Sequence, residues 1–297
     1  MHSAFCIQLL KGASMQSKQS QVWLLAALAA PIAHFSGCGW LTVLITAALV
    51  LPLARINKDW IFPKPIALFQ ILWLGIVAGS LLHGTAECWP SDNSLAVPLT
   101  LLTLAALTGA AKAPRIGAVL AFAMGLLALP VALSGAAHLK PQWLSPTPFA
   151  WNPMLVLVLL LTSLPVAGKG KGIWYTGVLA LAIAVLEQGV LSPYVAASLP
   201  DPEYQTARAL GYLEPVASAA LTMGWFAVAS LLFASAADIA KKSGISQRLS
   251  YVLVWCTGLP LLIFKWQLPA PFLMGLSAFL WCFTPFFQKL KKVNNSA

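Results

Sequence analysis

Charge is scarce in this sequence. Only 9% of its 297 residues are charged, and eight are acidic. Soluble domains carry about 25% charged residues, so a water-soluble globular domain is excluded. Enzymatic signatures are missing as well. There is no phosphate-cradling glycine loop, no HExxH, no GxSxG and no paired acidic motif for a metal-bound diphosphate. The four histidines, His2, His34, His83 and His138, lie on different segments. The five cysteines form no CxxC pair and stand at no metal-ligand spacing with a histidine. Most sit in or beside apolar runs, where cysteine behaves as a small hydrophobe. No enzyme activity, metal or cofactor is expected. The opening stretch "MHSAFCIQLLKGASMQSKQSQ" has too short an apolar run for a signal peptide and no cleavage site after it.

What is abundant is apolar surface: 59% of residues are hydrophobic and the mean hydropathy is +0.81. Lipid must be the solvent for most of the chain. Ten apolar runs can be marked, near 21–36, 38–55, 66–86, 95–111, 115–137, 151–168, 172–193, 209–236, 249–267 and 270–288. Most have the roughly 17–25 residues that cross a bilayer. The first covers only about 24 Å at 1.5 Å per residue. Runs such as "MLVLVLLLTSLPVAG" are apolar on every face, whereas barrel strands alternate. The spans are therefore expected to be helices, and the fold an all-α integral membrane protein.

Lysine and arginine set the orientation. Lys11, Lys18, Arg55, Lys58, Lys64, Lys112, Arg115, Lys169, Lys171, Lys241, Lys242, Arg248, Lys289, Lys291 and Lys292 fall on one side, and only Lys140, Arg208 and Lys265 on the other. The richer side is cytoplasmic by the positive-inside rule, which puts both termini inside and Glu87, Asp92, Asp201 and Glu203 outside. The net charge of +10 is thus spread over loops, and no nucleic-acid partner is expected. Residues 1–20 read as a cytoplasmic tail, 21–289 as one transmembrane domain with halves near 21–137 and 151–289, and 290–297 as a basic tail. The outer segment "HLKPQWLSPTPFAWNP" is expected to lie along the surface and feed the sixth span. The remaining inter-span stretches are too short for a soluble domain.

Candidate site residues are the polar groups and helix breaks inside spans, because ionisable groups in hydrocarbon are costly. Pro31 in "AAPIAHFSG" frees a backbone carbonyl. With His34 it marks either a kinked helix or a discontinuous helix facing a cavity. Thr162 and Ser163 precede Pro165. Their hydroxyls can bind a ligand or bond back to the preceding turn. Gly75, Gly79 and Ser80 form a small-residue face suited to close helix packing. Glu187 lies deeper than an edge residue should, as packing glue or as an ion or proton site. Glu214, Ser218 and Thr222 recur every four residues and share one helix face. The helix dipole and Pro215 in the first turn account for Glu214 at the outer mouth; they do not account for the polar stripe below it.

The ordered set of landmarks resembles the spore-germination permease family, the multi-span subunit of nutrient germinant receptors within the amino acid–polyamine–organocation transporter superfamily. The resemblance runs from about residue 22 to 290. It rests on "LAAPIAHFSGCGWLTVLITAAL", on "LTGAAKAPRIGAVLAFAMGLL" with Arg115, and on the stretch from Gly189 to Trp225 with Pro202, Arg208, Gly211 and Glu214. The chain departs from the family in a short first span, a compressed segment after Pro165, and Glu214-Pro215 where Glu-Arg is common. The resemblance implies ten helices in two inverted five-helix repeats. It implies a midplane site between spans one, three, six and eight, drawing on Pro31, His34, Ser80, Thr162, Ser163, Ser218 and Thr222, with Glu187 and Glu214 at the outer mouth or in coupling. It also implies a small nutrient ligand such as an amino acid, two partner subunits (one with a large soluble domain, one a lipoprotein), and a location in the spore inner membrane. A proton- or sodium-coupled amino acid transporter and a permease-fold scaffold without transport are the alternatives.

Overall fold

The structure is a computed structural model that describes residues 18–29, 32–33, 39–45, 48, 63–82, 95–144, 171–199, 202–211 and 213–264. Among these the secondary structure is entirely helical. The elements are α1 (Lys18–Ala26), α2 (Lys64–Leu82), α3 (Ala96–Gly109), α4 (Lys112–Ala137), α5 (Lys171–Leu191), α6 (Pro193–Ser198), α7 (Pro202–Ala209), α8 (Glu214–Lys242) and α9 (Gln247–Ile263). A 3₁₀ turn covers Pro141–Leu144. In hydrocarbon every backbone polar group must be satisfied within the protein, and helices do this locally.

Four of the helices, α2, α4, α5 and α8, are long and apolar enough to cross a membrane, and the chain reads as a multi-pass membrane protein. They correspond to the expected spans three, five, seven and eight, while α3 and α9 fill spans four and nine. The fourth and fifth spans are nearly continuous, divided at Gly109, whose φ of 73° and ψ of 170° break the helical hydrogen-bond ladder. α1 supplies the first half of span one. Spans six and ten, and most of span two, lie outside the described residues.

α8 is the centre. Most of its length is buried, from Ala217 to Ala240, and its alanines and serines let neighbours approach. Pro215 sits in its first turn and Lys241 and Lys242 in its last, where the macrodipole favours cations. α4 packs along one side of α8, and α2 and α9 along another. α1 is enclosed too: Leu24 to Ala29, Ile32 and Ala33 are all buried. By contrast α4 is peripheral, with Leu126, Leu129 and Leu133 exposed, an outer face fit for lipid.

Two contacts fix how these helices meet. α2 and α9 cross backbone to backbone. A Cβ on Gly79 would fall 2.6 Å from the Gly258 carbonyl oxygen, and one on Gly75 would fall 2.7 Å from that of Val254. The small-residue face of span three is thus a packing surface. Trp255 Nε1 on α9 also donates to Thr103 Oγ1 on α3 at 3.3 Å.

Ends assigned to the same side by the lysine and arginine count meet in space. On the side assigned as inner, Thr176 Oγ1 of α5 donates to the Leu25 carbonyl of α1 at 2.8 Å, and Lys64 at the start of α2 lies beside Gly244 just after α8. On the side assigned as outer, the Lys140 amide donates to the Gly189 carbonyl at 3.0 Å. There Gln188 Nε2 donates to the Trp143 carbonyl at 2.7 Å and Trp40 Nε1 to that of Leu144 at 3.1 Å. The segment after α4 is therefore tied down along the outer ends of spans two and seven, with Lys140 over the Trp143 ring at 4.1 Å. The inter-span stretch at 194–208 carries α6 and α7, and span eight starts at Glu214 rather than near residue 209. Pro193 and Pro202 each open one of these short helices, where a missing amide proton costs nothing.

Candidate functional site

The polar stripe on α8 is present as spaced. Ser218 Oγ donates to the Glu214 carbonyl at 3.1 Å and Thr222 Oγ1 to the Ser218 carbonyl at 2.7 Å. Both protons thus go to the preceding turn of the same helix, a local bond that competes with outward reach. Glu214 is held from outside its helix: Tyr204 on α7 donates its hydroxyl to Glu214 Oε1. Tyr204 is buried. The glutamate is thus an anchor between the outer helix α7 and the start of α8. Sequence spacing does not reveal this pair, because Tyr204 and Glu214 are joined by a turn and not by a helical repeat.

Glu187 is placed deep, 2% exposed, on α5. It lies four residues before Leu191, about 6 Å along the helix from its outer end. It borders a cavity of about 140 Å³ lined by α4, α5, α7 and α8. α4 contributes Met124, Ala128, Val131, Ala132 and Gly135; α5 contributes Ile183 and Leu186 beside Glu187; α7 contributes Thr206; and α8 contributes Ala217, Ala220 and Leu221. On α4, α5 and α8 all but Met124 lie toward the helix end that the lysine and arginine count assigns to the outer side. Ser218 and Thr222, one position round the helix from Ala217 and Leu221, are not part of this lining.

Ser80 is half-buried on α2, and its Oγ has no hydrogen-bond partner among the described residues. Pro31, His34, Thr162 and Ser163 lie outside the described residues. Sequence reasoning missed Thr206, Tyr204 and the buried Gln70, whose side-chain amide also has no partner among the described residues. Gln70 carried a visible signal, a lone amide inside an apolar run. Thr206 carried none, since it sits in a polar outer stretch. No group of histidine, cysteine, aspartate and glutamate able to hold a metal occurs among the described residues. Comparison of the chain with protein families and with curated proteins returns no match.

Proposed function

We propose that the chain is a permease-like membrane subunit of a spore nutrient germinant receptor, sensing or transporting a small nutrient such as an amino acid. The observation that carries this reading is how the two halves of the chain interleave. α2 packs on α9, α4 on α8, and α1 on α5, so helices before residue 137 are seated among helices after residue 171. Inverted five-helix repeats require such interlocking, with the ligand site near the midplane at the repeat interface. In this reading spans one, three, six and eight build the site from Pro31, His34, Ser80, Thr162, Ser163, Ser218 and Thr222. Ser80, whose buried hydroxyl has no hydrogen-bond partner among the described residues, supports it. The partners are a subunit with a large soluble domain and a lipoprotein subunit.

The buried Glu187 favours a second reading, an amino acid transporter coupled to protons or sodium, because ionisable groups inside spans commonly serve ion pathways. One pair of experiments separates the two. Deleting the gene in its spore-forming host is expected to abolish germination by one class of nutrient, and the tagged protein is expected to bring down the two partner subunits. Normal germination in every nutrient, together with uptake of labelled amino acid by proteoliposomes, contradicts the receptor reading and favours the transporter. Neither germination defect nor uptake leaves a scaffold.

A further inference from the structure

The turn between α8 and α9 gathers positive charge with little to balance it. Lys241 and Lys242 end α8, and Arg248 stands in the first turn of α9. Gly244 between them has a φ of 69°, and the Ile245 amide closes the end of α8 on the Ala240 carbonyl at 2.8 Å, so the chain reverses tightly. α2 brings a further cation: Lys64 Cε lies 3.9 Å from where a Cβ on Gly244 would stand. Asp238 near the end of α8 is taken by Lys242 at 2.7 Å. Lys64, Lys241 and Arg248 are exposed, and none of them has an acidic partner among the described residues. The first amides of α9 have no side-chain cap, which adds free donors and the positive end of a helix dipole at the same place.

Next to these cations the surface turns apolar. Leu68 and Phe69 follow Lys64 on α2, Leu249 and Val252 follow Arg248 on α9, and all four are exposed. At 1.5 Å per residue they lie within about 8 Å of the cations along the helix axes. Charge at the helix ends beside bare apolar side chains matches a single amphipathic molecule. We propose that the ends of α2, α8 and α9 on the side assigned as inner form a binding site for an anionic phospholipid. The headgroup phosphate accepts hydrogen bonds from Lys64, Lys241 and Arg248, and the acyl chains lie along Leu68, Phe69, Leu249 and Val252. Basic sites between helix ends on the cytoplasmic side recognise anionic headgroups in this way. Free phosphate offers the same charge but leaves the apolar side chains uncovered, so the lipid fits the whole surface. The bound headgroup ties the start of α2 to the α8–α9 turn and so reinforces the glycine crossing of α2 and α9. The proposal is independent of the midplane site, and either can fail without the other.

The test uses the purified full-length protein in detergent micelles. Phosphatidylglycerol and phosphatidylcholine with the same acyl chains are added separately, and bound lipid is counted by native mass spectrometry. Phosphatidylglycerol is expected to bind about 10-fold or more tightly than phosphatidylcholine. Lys64→Gln, Lys241→Gln and Arg248→Gln are each expected to weaken it about five-fold, the scale of one cation at an anionic membrane surface. The triple variant is expected to lose the preference while still binding phosphatidylcholine and unfolding cooperatively, which guards against misfolding. Lys18→Gln with Lys171→Gln, at the starts of α1 and α5, is expected to leave the preference intact. An equal loss in that control would mean diffuse attraction to the whole basic side and overturn the proposal. So would equal binding of the two lipids by the unaltered protein, a preference that survives in the triple variant, or displacement of phosphatidylglycerol by inorganic phosphate, which would make the site one for the free anion.

Discussion

Two interfaces of this molecule are built from similar small residues and come out opposite. At the α2–α9 crossing, glycine faces glycine and the backbones touch: a Cβ on Gly258 would lie 3.0 Å from the Gly75 carbonyl oxygen. Between α4, α5 and α8, alanines such as Ala128, Ala132, Ala217 and Ala220 surround a space of about 140 Å³. Glycine permits direct contact at the crossing, whereas around the cavity larger side chains, among them Met124, Val131, Ile183, Leu186 and Leu221, hold the helices apart and the alanines leave the gap between them unfilled. In lipid, where apolar burial gives helices little reason to associate, close packing is the main attraction. The crossing is therefore the mechanical joint, and the cavity is a place that stability alone does not require.

Substitutions should break this contrast in a graded order. Gly79→Leu is expected to have the largest effect, because the new side chain must displace α9 backbone 2.6 Å away; folded protein should be lost from detergent extracts, as judged by size-exclusion chromatography. Gly79→Ala should retain the fold but cost about 1–3 kcal/mol, the usual penalty for overpacking, read as a lower unfolding temperature. At the outer rim, Tyr204→Phe and Glu214→Gln are each expected to destabilise, with a double-mutant cycle giving a coupling of about 1–3 kcal/mol for a hydrogen bond to a charged group. Additive effects there would mean the pair does not anchor α7 to α8. In the cavity, Ala220→Val should change stability by less than about 1 kcal/mol, since the added methyls enter empty space. The smallest change is expected for Thr222→Ala, under about 0.5 kcal/mol, because its hydroxyl bonds only weakly favourably to its own helix turn.

Much of the helical architecture was legible because its cause is local. Apolar length acts within a single helix, and α2, α4, α5 and α8 are as long and apolar as the sequence leads one to expect, with α3 and α9 as shorter apolar helices. The small-residue face of Gly75 and Gly79 was legible as packing, though not that Gly258 would be its partner, since partner choice is a long-range matter. Glu214 was legible as a first-turn carboxylate; its bond from Tyr204 was not, because it depends on the turn between α7 and α8. Glu187 stood out by depth alone. The cavity beside it was invisible, being an absence of side-chain volume shared by four helices. The candidates at Pro31, His34, Thr162 and Ser163 lie outside the described residues, so of the residues proposed for a midplane site only Ser80, Ser218 and Thr222 are described.

The central claim is that the two halves of the chain interlock through α4 and α8. A Cβ at Gly224 on α8 would lie 3.5 Å from Met124 Cγ on α4, within reach of a disulfide after small adjustment. The direct measurement replaces the five native cysteines, introduces Met124→Cys with Gly224→Cys, and inserts a protease site between residues 145 and 150. After oxidation in membranes and cleavage, the account predicts that the two fragments migrate together without reductant and separate with it. Fragments that separate in both conditions, while a control pair within one half still cross-links, would contradict it.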